Sequence, residues 1–539
     1  MFAALLSFRV QTENPLGLDS LDSIVKPRRL DARDHKVALR NDRAKEWRVL
    51  CRLITLIALT WFAAACNSTP SHRQLDRLHP CLSSEGPTDA LCGTVTVFEN
   101  RHTAIGRQIR LWVVVLPSLS NTPSDDPLFF LAGGPGQAAA QLASQVRTVF
   151  RQVQRTRDIV LVDQRGTGKS NPLNCRSKAS SLRELTEGSE EALARLHRCL
   201  EGYDADVRLY TTDIAMDDLD DVRAFLGYER INLYGGSYGT RAALVYLRQH
   251  GEHVRSIVLD GVAPTDMRLP VFTARDAQHA LDKALSDCDA ESACSETFPG
   301  MATRIRNLIT SLERHPRRVR VVHPRTGIAE DVDVNARLVS SVMFNALYSP
   351  LTASIVPALV DRAEQNDFHG LFALAFAGED SGESMSIGMQ LSVLCSEDAS
   401  RVSADELARE TSHSVFGSHL IGSQLDACAM WPKGKVKADY YKPVVSDVPV
   451  LVLSGEVDPV TPPIWGASVV KHLSHGMHIV VPSTGHGVVT TPCGNRLVRN
   501  FIERGSAEGL DTKCVASVRR PPFFVTPAGP DPLGGKIDK

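Results

Sequence analysis

The sequence predicts an α/β fold with a mainly parallel sheet, helices on both faces and one long, mostly helical insertion. Short apolar runs alternate with segments of helical periodicity up to Pro264. The alternation then stops, and it returns at Val448. Continuous apolar strands that alternate with helices are typical of a parallel sheet buried on both faces. The interruption indicates a cap domain inserted into a single α/β core.

Apolar runs predict the strands of this core. One helix between them is predicted over residues 213–227 from apolar residues at helical spacing, with Thr212 or Asp213 as its cap. The predicted strands cover residues 94–97, 109–115, 127–131, 158–162, 231–234, 256–260, 448–453 and 477–481.

Composition places the chain among ordinary globular proteins. Its 539 residues are 43% hydrophobic and 23% charged, which allows a substantial core. The net charge of -2 gives no electrostatic case for a nucleic-acid partner.

The N-terminal region predicts export. Basic residues flank the apolar run 53–65, which is too short to span a bilayer comfortably and suits a signal peptide. Cys66 follows three alanines as in a lipobox, although Ala63 stands where leucine is usual. We therefore favour a bacterial lipoprotein that is periplasmic or anchored to the membrane through Cys66. A secreted protein with a plain cleaved signal is the alternative. Residues 1–42 are an extension or an upstream start-site error.

Ten cysteines follow Cys66, an even number that together with an export signal predicts disulfides. Sequential pairing is the simplest of the possible connectivities, which spacing alone does not decide. The absence of any C-x-x-C pair argues against a metal site, and His472, His475 and His478 are interpreted as surface histidines. The ten are Cys81, Cys92, Cys175, Cys199, Cys288, Cys294, Cys395, Cys428, Cys493 and Cys514.

These observations divide the chain into six parts. The predicted parts are an extension and signal peptide (1–66), a polar tether (67–80), the first part of the core (81–265), a helical cap (266–440), the second part of the core (441–515) and a loose tail rich in proline and glycine (516–539).

The motif with the clearest chemistry lies after the strand that begins at Ile231. Gly235-Gly236-Ser237-Tyr238-Gly239 fits G-x-S-x-G, and a helical pattern opens at Arg241. Strand, serine and helix together describe a nucleophile elbow, which displays the serine on a strained turn. A glycine-rich turn with an incidental serine is the alternative. We expect Ser237 to be a nucleophile.

A serine nucleophile needs a base, and the base needs an orienting acid. In α/β-hydrolases the chain order is serine, acid, histidine, each after a strand. Asp458 and His486 follow the strands ending near Ser454 and Val481, so they complete the set. Glu456 is the alternative acid, although it lies nearer the strand end.

The negative charge that develops on the substrate oxygen needs two backbone N–H donors. Tyr238, the residue after the nucleophile, is expected to supply one, and Gly134 the other, with Gly133 as the alternative. A plain tight turn is the other interpretation of this glycine loop. Residues 163–168 lack the spacing of a phosphate-binding loop and are expected to be structural.

Together these motifs resemble the prolyl and tripeptidyl aminopeptidase family of serine peptidases, including its TAP-like C-terminal region. The resemblance covers roughly residues 81–515 and implies an α/β-hydrolase core with a helical cap, acting on free peptide N-termini. Ala132 departs from the histidine usual in proline iminopeptidases, which argues against strict proline specificity. The motifs are Gly133–Gly136, Asp163–Ser170, Gly235–Thr240 and Gly455–Pro462.

An exopeptidase must bind the ammonium group of its substrate, which calls for carboxylates in the pocket. Glu397 and Asp398 are the candidates, held by a disulfide at Cys395, and exposed acids of a polar loop are the alternative interpretation.

The sequence thus predicts an exported serine exopeptidase for peptide substrates, with no metal or other cofactor and no indicated protein partner. A carboxylic ester hydrolase with the same triad is the alternative. An intact triad disfavours a non-catalytic binding protein.

Overall fold

The structure is a computed structural model that describes residues 73–82, 89–175, 182, 188–379, 385–417, 420–526 and 529–530. The predicted signal peptide and Cys66 lie outside these residues. Within them, no helix combines the length and apolar character needed to cross a membrane.

Nine strands of the described chain form one sheet in the order β1-β2-β3-β5-β4-β6-β7-β10-β11. The pairs from β5 to β11 are parallel, whereas the pairs β1–β2, β2–β3 and β3–β5 are antiparallel. The predicted mainly parallel sheet is confirmed. The strands are β1 (His79–Pro80), β2 (Leu91–Phe98), β3 (Gln108–Leu116), β4 (Leu128–Leu131), β5 (Ile159–Val162), β6 (Ile231–Gly236), β7 (Val254–Asp260), β10 (Val450–Gly455) and β11 (Gly476–Val481).

Helices that precede β10 in the chain and helices that follow it pack against the sheet. Those of the core are α1 (Ala143–Val149), α2 (Arg151–Gln154), α4 (Thr212–Phe225), α5 (Tyr238–His250), α16 (Pro463–Val470) and α17 (Pro492–Arg504). Between α2 and α4, α3 (Ser189–Glu201) packs instead in a separate apolar cluster that it shares with two helices of the insertion, Ile387–Val393 and Gly422–Met430.

Alternate residues of one strand bury themselves on opposite faces of the sheet, as a period of two requires. In β10, Val450 and Val452 join an apolar cluster that includes residues of α4 and α5. Leu451 and Leu453 join a second cluster that includes residues of α1 and α17. Helices therefore cover both faces, which is why the strands read as continuous apolar runs.

The chain between β7 and β10 forms the insertion (residues 261–449), which has an apolar core of its own. Its helices are α6 (Thr273–Ala290), α7 (Ser292–Thr297), α8 (Met301–Arg314), α9 (Ala336–Ala346), α10 (Pro350–Ala353), α11 (Val356–Glu364), α12 (His369–Glu379), α13 (Ile387–Val393), α14 (Ala404–Thr411) and α15 (Gly422–Met430).

The insertion also contains a β-hairpin that the sequence did not predict. Its antiparallel strands are β8 (Arg317–Val322) and β9 (Ala329–Val334). Most of their side chains lie at least partly in solvent, so no apolar run marks the strands. The cap limits at 266 and 440 stay a prediction.

Both ends of the described chain are more ordered than their polar, proline-rich composition indicated. In the predicted tether, Leu78 is buried and His79–Pro80 pairs with β2. In the predicted loose tail, Phe523 is buried in the core of the insertion, and its N–H donates to Glu291 at 3.1 Å. Each segment thus has a buried apolar residue and backbone hydrogen bonds to the folded chain, which composition averaged over the segment conceals.

All five sequential disulfides are confirmed: Cys81–Cys92, Cys175–Cys199, Cys288–Cys294, Cys395–Cys428 and Cys493–Cys514. Disulfides persist in oxidising compartments, so the five pairs are consistent with an extracytoplasmic location.

A buried arginine anchors the glycine-rich loop at residues 163–168. Arg165 is fully buried and donates from Nε and Nη2 to the carboxylate of Asp218, at 2.6 and 2.8 Å. Its Nη1 donates to the backbone carbonyls of Glu99 and Leu209. The guanidinium thus ties the loop after β5 to α4.

This pairing predicts a large effect of Asp218→Ala on stability. The substitution leaves the guanidinium of Arg165 buried without a carboxylate, so the free energy of unfolding should fall by about 3–5 kcal/mol. Asp221→Ala is the control, because Asp221 pairs with Arg101 at the surface and should contribute less than about 1 kcal/mol. Denaturant unfolding measures both, and equal losses would contradict the assigned role.

Candidate active site

Ser237 lies between the end of β6 and the start of α5, as the motif predicts. Its backbone has φ of 56° and ψ of -125°, a left-handed conformation that is strained for a residue with a side chain. The Ser237 N–H donates to the carbonyl of Asp260 at 2.9 Å, which holds the turn in place. The strain is therefore maintained by a neighbouring strand.

The glycines of the motif are needed because backbone segments approach closely on both sides of the turn. A Cβ atom on Gly235 would overlap the carbonyl of Gly239, and one on Gly239 would overlap the carbonyl of Leu131. No side chain fits at either position. This crossing of strand, turn and helix leaves Ser237 at the tip.

His486 and Asp458 are brought together at the carboxyl edge of the sheet. The Nδ1 atom of His486 lies 2.8 Å from Oδ2 of Asp458. Asp458 is buried, and it accepts the N–H groups of Val460 and Thr461, both at 2.9 Å. An ionised carboxylate only accepts hydrogen bonds, so Nδ1 carries the proton and Nε2 has a free lone pair.

The alternative acid, Glu456, occupies a different place. Its carboxylate accepts the N–H of Ser483 at 2.9 Å and so braces the loop that leads to His486. The carboxylate that accepts the hydrogen bond from His486 is that of Asp458. Between the two acids, the geometry favours Asp458 as the partner of the histidine.

The pKa values of the pair reflect opposite effects of burial and charge. Burial alone lowers the pKa of His486, but the charge and hydrogen bond of Asp458 outweigh it, and the pKa lies above its ordinary value. Burial raises the pKa of Asp458, yet its interactions with His486 and the N–H groups of Thr461 and Val460 bring it below its ordinary value. Asp458 therefore stabilises the imidazolium that forms when His486 takes up a proton.

Asp260, at the end of β7, connects the serine to the histidine loop. Its carboxylate accepts the N–H groups of Val488 and Val489, each at 2.8 Å, and the hydroxyl of Tyr234 at 2.9 Å. Its backbone carbonyl accepts the Ser237 N–H. A Cβ atom on the next residue, Gly261, would lie 3.1 Å from Cε1 of His486. The same stretch of backbone thus contacts both residues.

The two expected N–H donors lie on either side of Ser237. Tyr238 is the first residue of α5, so its N–H has no carbonyl of a preceding turn to bond. The glycine loop passes against the serine, since a Cβ atom on Gly133 would lie 3.1 Å from the Ser237 Cβ. Gly134 follows with φ of 108°. The choice between Gly134 and Gly133 stays open.

Glu397 and Asp398 are buried and bound to protein groups, which corrects the expectation that they bind an ammonium group. They end a π-helical turn (Leu394–Asp398) and are fully buried. Glu397 accepts the N–H and the hydroxyl of Thr212, at 2.7 and 3.0 Å, and the hydroxyl of Tyr440.

The partners of Asp398 are two arginines. Its Oδ2 accepts Nη1 of the buried Arg241 at 2.8 Å, and its Oδ1 accepts Nη2 of Arg401 at 3.2 Å. Burial raises the pKa of Glu397 to about 7, against the effect of Arg241. Since protein groups occupy the oxygens of both acids, these residues support α4 and α5 and are not presented to a substrate.

Sequence reasoning missed three residues that shape the site. Besides Asp260, Thr461 donates its hydroxyl to Asp458 at 2.8 Å and lies 3.2 Å from Nδ1 of His486. Tyr348, from the insertion, accepts the His486 N–H through its carbonyl at 2.8 Å, and its ring lies edge-on to the imidazole. Thr461 follows Asp458 within the same motif, which was a usable signal. No sequence pattern marks Tyr348.

Comparison with known proteins agrees with this architecture. Residues 126–287 match the alpha/beta hydrolase fold family, and residues 413–514 match the family described as TAP-like protein. The first range contains Ser237, and the second contains Asp458 and His486.

Two curated relatives extend the similarity over most of the chain. The serine protease Hip1 of Mycobacterium tuberculosis is 26% identical over 484 residues, which is 81% of this chain and 90% of that protein. The tripeptidyl aminopeptidase of Streptomyces lividans is 24% identical over 462 residues, covering 79% and 84%. The chain is therefore a serine hydrolase with the α/β-hydrolase fold, and its C-terminal region is similar to the TAP-like protein family.

Proposed function

We propose that the chain is a serine peptidase that cleaves peptide bonds near free N-termini through an acyl-enzyme. Ser237 is the nucleophile, His486 is the base and then the acid, and Asp458 orients His486. The observation that carries this proposal is the hydrogen bond between His486 and Asp458 beside the strained Ser237. Parallel strands β6, β10 and β11 end at the same edge of the sheet, so the loops carrying the three residues lie together.

The chemistry follows from the protonation of His486. With Nδ1–H donated to Asp458, Nε2 accepts the proton of the Ser237 hydroxyl as the oxygen attacks the substrate carbonyl. The resulting oxyanion is bound by the N–H groups of Tyr238 and Gly134, or Gly133. Protonated His486 then gives its proton to the leaving amine. In the second half of the reaction, His486 takes a proton from water as the water oxygen attacks the acyl carbonyl. His486 then returns that proton to the oxygen of Ser237 as the acyl group leaves.

Two observations bear on the leaving group. The names of the relatives, a serine protease and a tripeptidyl aminopeptidase, support a peptidase. The burial of Glu397 and Asp398 removes the predicted partners of a substrate ammonium, so a carboxylic ester hydrolase stays the second candidate. The two candidates share one acyl-enzyme chemistry and differ in substrate.

A substrate panel separates these candidates. We expect turnover of tripeptidyl-aminocoumarins with a free amino group, and slower turnover of their N-acetylated forms. Short p-nitrophenyl esters serve as the third class. Cleavage of esters and blocked peptides without cleavage of free-amine peptides would exclude the aminopeptidase. Cleavage of esters alone would leave the esterase.

Ser237→Ala tests the proposed nucleophile. Loss of the attacking oxygen should reduce kcat by a factor of about 10⁴–10⁶ on every substrate of the panel, with the unfolding transition unchanged. Ser412→Ala is the matched control, because Ser412 is exposed and bonds only its own helix end, and it should retain full activity. Wild-type rates in the Ser237 variant would refute the site.

The pH profile tests the pairing of His486 with Asp458. The base must be neutral, so kcat/KM should fall as the pH drops through a midpoint above the ordinary histidine value of about 6.5. Asp458→Asn removes the two larger effects that raise the pKa of His486 and leaves burial, so the midpoint should move to lower pH and kcat should fall by about 10⁴.

Asp260→Asn serves as the comparison, since Asp260 contributes the smallest of the effects that raise the pKa of His486. Its midpoint should move in the same direction by less. An acid limb that stays in place in both variants would show that His486 is not the titrating base.

We also propose that the chain is exported and carries a lipid anchor on Cys66. The five disulfides support export. Labelled palmitate fed to expressing bacteria should mark the full chain and not its Cys66→Ser variant. Equal labelling of both would contradict the anchor.

A further inference from the structure

A cavity of about 260 Å³ lies next to the proposed catalytic residues. Gly134 and Pro135 of the glycine loop form part of its wall, as do Tyr348, which contacts His486, and Val460, which follows Asp458. A carbonyl bound by the Gly134 N–H would place its acyl group in this space. The volume lies below the range of about 300–1,000 Å³ for drug-sized ligands, so it suits a short segment of a substrate.

The described residues that line the cavity include no carboxylate, ammonium or guanidinium group. Much of the wall is apolar, with Leu269, Phe344, Leu394 and Leu420 among its residues. The polar side chains of the wall are neutral hydroxyls and carboxamides: Thr273, Ser341, Asn345, Tyr348, Gln390 and Gln424. A charged side chain entering this space would lose water without gaining a counter-charge, which is unfavourable.

The π-helical turn explains why its acids do not reach the cavity. Leu394, at the start of the turn, lines the wall. Glu397 and Asp398, at its end, bind α4 and α5 through Thr212 and Arg241. The turn therefore presents an apolar side chain to the cavity and directs both carboxylates into the protein.

We propose that this cavity binds the side chain of the residue whose carbonyl is attacked, and that it selects uncharged side chains over lysine, arginine, aspartate and glutamate. The selection deepens the proposed function, because it names the substrate class of the same site. The carboxamides of Gln390 and Gln424 donate and accept hydrogen bonds to the peptide groups of the bound segment. Because these carboxamides carry no charge, the cavity prefers uncharged side chains.

The test is a series of tripeptidyl-aminocoumarins Ala-Ala-Xaa that differ only in the last residue. With the wild-type protein, Leu, Phe and Gln at Xaa should give kcat/KM at least about 10²-fold above Lys and Glu, since each charged group is buried unpaired. The same residues are also offered as p-nitrophenyl esters. Equal rates for Leu and Lys in the substrate class that is cleaved would overturn the proposal.

Gln390→Glu gives the reverse experiment. A carboxylate in the cavity should raise the Lys-to-Leu ratio of kcat/KM by at least about tenfold, and turnover of the Leu substrate reports that the variant folds. Gln424→Glu provides a second position with the same expected direction. Gln365→Glu, the same change at an exposed site just after the end of α11, should leave the ratio unchanged.

An unchanged ratio in both folded cavity variants would overturn the assignment of this cavity. Failure of the proposed function is distinguishable from failure of the cavity proposal. If esters are cleaved and no peptide is, the peptidase proposal fails. The ranking of the ester series then still decides whether the cavity selects neutral side chains.

Discussion

Asp260 fixes the distance between two loops that no covalent bond connects. Its carbonyl holds the N–H of Ser237, and its carboxylate holds two N–H groups just past His486. A buried carboxylate requires such donors, because an unpaired charge in the interior is costly. The requirement works in both directions, since the loops also need Asp260 as their acceptor. The spacing of the proposed nucleophile and base is thus set by the hydrogen-bonding needs of a residue on a third strand.

Local sequence patterns were sufficient for the parts of the structure that local physics determines. The sheet could be predicted because strands buried on both faces must be apolar throughout, and the turn at Ser237 could be predicted because only glycine fits beside it. The disulfides followed from an even count and short loops. The exposed hairpin β8–β9 escaped notice because its strands bury few side chains.

The residues that were missed or misplaced depend on packing between distant segments. Glu397 and Asp398 read as polar loop residues because a sequence shows charge but not what surrounds it. In the fold, Glu397 receives the first N–H of α4, where the positive end of the helix dipole favours a carboxylate. Thr212 or Asp213 was expected to cap this helix, yet Thr212 is its first residue, and the N–H of Thr212 is the group that Glu397 satisfies. Tyr348 lies more than a hundred residues before His486, and no motif relates them.

The contacts made by Glu397 and Tyr348 have a consequence for how this protein can evolve. Both residues belong to the insertion, yet each satisfies a backbone N–H group of the core, at Thr212 and at His486. Deleting the insertion or exchanging it for another would leave these donors without their acceptors. Variation in this protein should therefore accumulate by substitution within the existing insertion, and wholesale replacement would first have to supply a new acceptor at each of the two positions.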